Sequence, residues 1–247
     1  MSRKPHPLLM SLVILIGVFL IAPTVIVIIM SFSSASTLRF PPPDFSLQWY
    51  SNIWQSPEST TAAWASVKVA ALATLTATTL GTLTALGLMR GHFPLKSVVT
   101  GLVLSPMIVP IVIVAVGTYL VFVDWRLHGT MSGFVVAHAS LGIPLVVVNV
   151  AASLQTIDRN LEMAAQNLGA GPVRTFMRIT LPLIMPGVVA GALFAFIESW
   201  DEVVVSIFLA SPFMRTLPVV MWSVVRSQID PTIAALAGML TLLTIVL

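Results

Sequence analysis

Residues 158–186, DRNLEMAAQNLGAGPVRTFMRITLPLIMP, decide the reading of this chain. They form a polar, helix-patterned insert between two apolar stretches of an otherwise very greasy protein. Leu161, Ala164, Ala165 and Leu168 recur at i, i+3, i+4 and i+7, which lays an apolar stripe along one short helix. Gly169 follows, at the place where helices commonly end in a left-handed residue. Gly171 and Pro172 open a second helix, with proline at its first position. Val173, Phe176, Met177 and Thr180 make its less polar face, Arg174 and Arg178 a different one. Pro182 and Pro186 mark the return to apolar chain. On pattern alone two readings stand: the hairpin docks a soluble partner, its alanines allowing close approach, or it lies on lipid with its arginines on headgroups.

Composition around the insert names the solvent. Apolar residues are 57% of the chain and charged residues 9%, against about 25% charged in soluble domains. Such a chain belongs in a bilayer. It has no cysteine, which excludes disulfides and thiolate metal sites. After Arg3 and Lys4 the apolar run 8–32 is too long for a cleaved signal and reads as a first anchor. Crossing the hydrocarbon takes about 20 helical residues, and six stretches qualify: 8–31, 61–89, 97–123, 132–154, 187–210 and 229–247. A lipid-facing backbone must bond to itself, so all six should be helices, and no period-2 alternation points to a barrel. The fold class expected is all-α, a polytopic membrane protein of about six transmembrane helices with a hairpin at 158–186, in one transmembrane domain over residues 1–247. The last span reaches Leu247 with no polar anchor, so either the natural chain runs on or this one stops early.

Basic residues orient the spans. Arg3, Lys4, Arg90, Lys96, Arg159, Arg174 and Arg178 fall on one side; Arg39, Arg126, Arg215 and Arg226 fall on the other. The excess puts both termini and the insert in the cytoplasm, with Trp49, Trp54 and Trp125 as interfacial anchors opposite. Pro106 and Pro110 in the third span and Pro144 in the fourth kink helices, for packing or to shape a central cavity. The threonines at 74, 76, 78, 79, 82 and 84 read as a packing face among small residues. No internal repeat is clear enough to argue an inverted-repeat transporter.

The fifth span carries Glu198, Asp201 and Glu202, at i, i+3 and i+4, so a continuous helix would present all three on one face. Each carboxylate near mid-bilayer costs roughly 2.5–3.5 kcal/mol on insertion scales. Lys68, in the second span, can pair with one of them but cannot neutralise three. The rest suit a wet pathway for a cation, with Trp200 as a cation–π face or as packing.

Met163-Ala164-Ala165, Gly169 and Ile179-Thr180-Leu181-Pro182 resemble the EAA loop of the permeases of binding-protein-dependent ABC importers. Met163 holds the usual glutamate position and Glu162 lies just before it. Six spans, a proline-bearing third span and the His138–Pro144 stretch fit the same family. The resemblance implies a type I importer permease. It implies that Glu162, Met163, Ala164, Ala165, Gly169, Leu181 and Pro182 belong to a coupling hairpin seated on a cytosolic dimer of ATP-binding subunits, with Glu162 standing in for the family glutamate. It also implies a second permease chain (a paralogue, in the polyamine branch), a periplasmic or extracellular solute-binding protein and a bacterial inner-membrane location. ATP and Mg would be held by the partner ATPase, leaving no cofactor in this chain, which has no Gly-x-x-x-x-Gly-Lys-[Ser/Thr] loop. Ser199 to Ser206, SWDEVVVS, resembles the fifth span of putrescine and spermidine permeases, which makes Asp201 and Glu202 the favoured pair in an expected substrate pathway of Glu198, Trp200, Asp201 and Glu202. Related branches carry opines, amino acid derivatives, aminoalkyl phosphonates, iron and thiamine.

Two other classes compete. A secondary transporter using the acids as its ion site explains the cluster but not the hairpin. An intramembrane enzyme finds no support: His6, His92, His128 and His138 have no metal-ligand spacing, and no Gly-x-Ser-x-Gly elbow is present. Nucleic acid is not an expected partner.

Overall fold

The structure is a computed structural model that describes residues 7–227 and 231–246. The expected contributions of Arg3, Lys4, His6, Ile229 and Leu247 lie outside the described residues. The helices are α1 (Pro7–Ser31), α2 (Gln48–Gln55), α3 (Pro57–Arg90), α4 (Lys96–Leu104), α5 (Ile111–Asp124), α6 (Met131–Gln155), α7 (Arg159–Asn167), α8 (Pro172–Thr175), α9 (Leu181–Asp201), α10 (Val204–Leu209), α11 (Leu217–Ser227) and α12 (Thr232–Val246). Among the described residues there is no strand, only two isolated bridges.

The chain gathers into two compact units, one of residues up to Thr60 with those from Val220, the other of 61–219. In the first, α1 packs beside α12 and α12 beside α2. Ser31 Oγ and the Tyr50 hydroxyl lie 2.7 Å apart, and Trp49 Nε1 donates to the Ser33 carbonyl at 2.8 Å. Leu8 to Ile21 of α1 are almost all exposed, as expected of a helix apolar all round that has lipid for a neighbour.

In the second unit α6 and α9 form the most extensive helix pair. Ala73, Ala77 and Ala85 of α3 complete a core with Val146, Val147, Val150 and Leu154 of α6 and Ile184 and Ala195 of α9. Small residues permit it: a β-carbon on Gly191 would stand 2.9 Å from the Val146 backbone, and one on Gly81 would stand 2.7 Å from the Val146 side chain. The small residues of α3 therefore act as the packing face. The Thr76 and Thr79 hydroxyls turn back to the carbonyls of Leu72 and Leu75, which satisfies them within their own helix.

Four described helical stretches are long and apolar enough to cross a membrane: 8–31, 57–90, 131–155 and the rod 172–201 that runs from α8 into α9. The bent pair α4–α5 passes the same test of length and apolarity only when its two helices are taken together. α12 occupies the expected sixth span at 15 residues.

Two expected helices are broken. The third span bends by 102° between α4 and α5, where Pro106 and Pro110 withhold amide protons from the ladder. The fifth span is not one helix over 187–210. It begins at Leu181, ends at Asp201, and resumes as α10 after Glu202 and Val203.

Candidate functional site

The break after Asp201 separates the three acids. Glu202 leaves helical geometry at φ −67° and ψ 118°. Its Oε1 accepts from the Val205 amide at 2.7 Å and its Oε2 from the Ser206 amide at 2.8 Å. A carboxylate there satisfies two of the amides that every helix start leaves unbonded, in the manner of an N-cap. Glu202 is 6% exposed, inside a buried polar cluster. Ser199 Oγ lies 2.8 Å from His138 Nδ1, Ser206 Oγ lies 3.0 Å from Nε2, and Glu202 Oε2 is 3.8 Å from the same nitrogen. The single face of three acids is thus corrected: Glu202 turns into the protein because the helix that would have aligned it stops one residue earlier.

Replacing Glu202 by Ala should strand two buried amides, at about 1–3 kcal/mol each. The expected result is a lower melting temperature for the detergent-solubilised complex, with Glu202→Gln falling between Ala and wild type. An unchanged melting temperature for Glu202→Ala would remove the capping role.

Glu198 and Asp201 remain on the last turn of α9, three residues apart. Glu198 and Asp201 are both exposed. Glu198 lines a cavity of about 380 Å³ with Pro106, Met107 and Ile111 at the α4–α5 break and Leu141 and Leu145 of α6. Of the third span's prolines, Pro106 therefore borders a cavity. Carboxylates in the last turn of a helix stand against the negative end of its dipole, so this corner favours a cation. Lys68 is exposed, and no ion pair found among the described residues joins it to these acids. Trp200 is 6% exposed, its ring stacked on Phe196 at 6.1 Å, so packing takes up the face expected to meet a cation.

The second candidate region is the hairpin. Asp158 caps α7 by accepting from the Asn160 amide at 2.9 Å. Gly169 has φ +85°. Its amide donates to the Gln166 carbonyl at 2.9 Å, and the Ala170 amide donates to Ala165 at 3.0 Å, the paired closure that a left-handed residue permits. Leu161, Met163, Val173 and Met177 are about half exposed or more, and Leu168 is 90% exposed. Ala164 is exposed too, while Ala165 is buried. The hairpin thus carries an apolar outer surface.

Glu162 faces the other way. Its Oε1 lies 3.1 Å from Arg90 Nη2 and accepts from the Thr180 hydroxyl at 2.8 Å. One residue is about 100° round a helix, so an acid at 162 meets the body of the protein while Met163 stays outside. Leu181 and Pro182 open α9 directly after a π-helical turn at Phe176–Thr180. Sequence reasoning counted Arg90 only as a cytoplasmic charge and Thr180 only as part of a face. Nothing local marks either as a partner of Glu162, since the contacts span 72 and 18 residues.

The chain matches the family described as "Binding-protein-dependent transport system inner membrane component" over residues 77–247, and it belongs to that family. It is a multi-pass inner-membrane transport component. Among its relatives is the putrescine transport system permease protein PotI of Escherichia coli K12, 34% identical over 236 residues, covering 92% of this chain and 84% of the relative. Another is the spermidine/putrescine transport system permease protein PotC of the same organism, 34% identical over 232 residues, covering 93% and 86%. In fold it resembles a chain of a bacterial ABC transporter for import of the acidic polysaccharide alginate, with TM-score 0.76, 16% identity, and coverage of 100% and 96%. A second alginate transporter structure, in complex with a pentasaccharide-bound periplasmic protein, gives TM-score 0.69 at 17% identity.

Proposed function

We propose that this permease carries a small organic cation of the polyamine class, putrescine or spermidine, into the cell. The observation that carries the reading is the pair Glu198 and Asp201 at the C-terminal turn of α9, where Glu198 borders the cavity at the α4–α5 break. The 34% identity to the putrescine and spermidine permeases supports the same solute class. An ammonium group between these carboxylates gains charge-assisted hydrogen bonds and offsets the unfavourable helix end.

In this reading the N-terminus is cytoplasmic. A solute-binding protein outside delivers the cation to a pathway between this chain and a second permease, a paralogue. The 158–186 hairpin seats on a dimer of cytosolic ATP-binding subunits, which hold ATP and Mg and perform the hydrolysis; this chain catalyses nothing. The hairpin's exposed apolar surface, Leu168 and Val173 above all, supports a protein partner. ATP-driven closure of the dimer displaces the hairpin and switches the permeases between inward-open and outward-open forms.

The test is uptake of radiolabelled putrescine by the reconstituted complex, competed with spermidine, amino acids, opines and aminoalkyl phosphonates. Only the polyamines should compete at comparable concentration. Preferred transport of an anionic solute would overturn the assignment, as would ATP-independent uptake driven by an ion gradient.

A further inference from the structure

We propose that Glu162, Arg90 and Thr180 form an internal strut that transmits displacement of the hairpin to α3 and α9, making Arg90 and Thr180 positioning residues for transport. The inference rests on the reading that the hairpin docks on an ATP-binding subunit.

α7 has nine residues and buries only Ala165. A helix that short is marginal by itself, so its movement reaches the membrane only through the contacts that hold it. It meets α8 and the π turn, and its one ion pair among the described residues is the bond from Glu162 to Arg90. The two side chains are 17% and 22% exposed, which leaves the pair less screened than one on the open surface. A single oxygen, Oε1, takes both the guanidinium and the Thr180 hydroxyl, so the hairpin is fastened at one point to two elements.

Those elements lead into the membrane. Arg90 is the last residue of α3, where its charge also complements the helix dipole. Thr180 is 3% exposed and closes the π turn that runs without a break into α9. From Thr180 to Asp201 is roughly 30 Å of helix, and the far end carries Glu198 and Asp201. The helix is continuous from Leu181 to Asp201 and packs along α6. The strut therefore joins the hairpin to the helix that bears Glu198 of the cavity, with Asp201 on the same turn. Glu162 would then serve within the permease, while the apolar residues around it meet the ATP-binding subunit.

Charge reversal tests this in the complete reconstituted complex, with co-purification of the ATP-binding subunits, basal ATPase rate and uptake per ATP hydrolysed as readouts. Glu162→Arg and Arg90→Glu should each leave co-purification and basal hydrolysis intact and lower uptake per ATP about tenfold. The double reversal should recover to within roughly threefold of wild type, since residues in one ion pair couple energetically. Should the reversals reduce expression, Glu162→Gln, which keeps the size and the Thr180 bond, should still lower uptake per ATP about threefold. Thr180→Val should do the same, with Thr180→Ser restoring it. A double reversal no better than the singles overturns the strut. So does loss of co-purification in Glu162→Gln, because the acid would then be a contact with the ATP-binding subunit. Photo-cross-linking from a benzophenone maleimide attached at Leu168→Cys, the single thiol of a chain with no native cysteine, reads the docking separately. No cross-link to the ATP-binding subunit overturns the docking reading and the transmission with it. A cross-link without charge-swap rescue overturns the strut alone.

Discussion

Glu198→Gln and Asp201→Asn should each lower putrescine uptake about tenfold to a hundredfold while leaving complex assembly and basal ATPase activity intact. Each amide keeps the size of the acid and removes its charge. A hydrogen bond to a charged partner contributes roughly 1.5–3 kcal/mol, and 1.4 kcal/mol is tenfold. Glu198, which lines the cavity, belongs at the upper end. Asp201, which is not among the cavity's lining residues, belongs at the lower end because open solvent screens its contact. Glu202→Gln should behave differently, changing melting temperature more than uptake, since its oxygens already accept the Val205 and Ser206 amides. Dose–response uptake in proteoliposomes separates the three. Wild-type uptake by both Glu198→Gln and Asp201→Asn would remove these acids from the pathway, and failure of assembly would make them structural.

Gly169→Val should uncouple hydrolysis from transport, with uptake down at least about tenfold and ATPase activity retained. Space is not the obstacle, because a β-carbon there meets no atom within 4 Å. Conformation is. At φ +85° an L side chain costs roughly 1–2 kcal/mol, and a β-branched one is worse placed still. Relaxing the backbone breaks the closure from Gly169 to Gln166 and from Ala170 to Ala165 and moves Leu168 off its position. Gly169→Asn, whose side chain tolerates the left-handed region, should keep most of the uptake. Uptake and hydrolysis measured on the same proteoliposomes decide it: wild-type transport by the Val variant would take away the hairpin's main conformational support.

The hairpin and the acids show how far local pattern carries. Gly169 and Pro172 act on their own neighbours through backbone torsions. Their positions in the chain therefore announce a left-handed stop and a second helix start, and the structure has both. The single acidic face in the fifth span failed because it assumed a continuous helix. No proline or glycine lies near Glu202, and the interruption coincides with a carboxylate that caps the next helix and a histidine from α6 that meets Ser199 and Ser206. Trp200 was equally ambiguous, since a tryptophan looks the same in sequence whether its face meets a cation or Phe196.

By itself the sequence determined the solvent, the helical class, the approximate spans and the hairpin, because hydropathy, backbone self-bonding in lipid and turn chemistry act over a few residues. Only the tertiary structure decided that Glu198 lines the cavity while Glu202 caps α10, where the third and fifth spans break, and that Glu162 turns inward to Arg90 and Thr180. Those outcomes depend on contacts between α3, α6, α7 and α9, groups up to 72 residues apart, and no local periodicity encodes which distant side chain a carboxylate will meet.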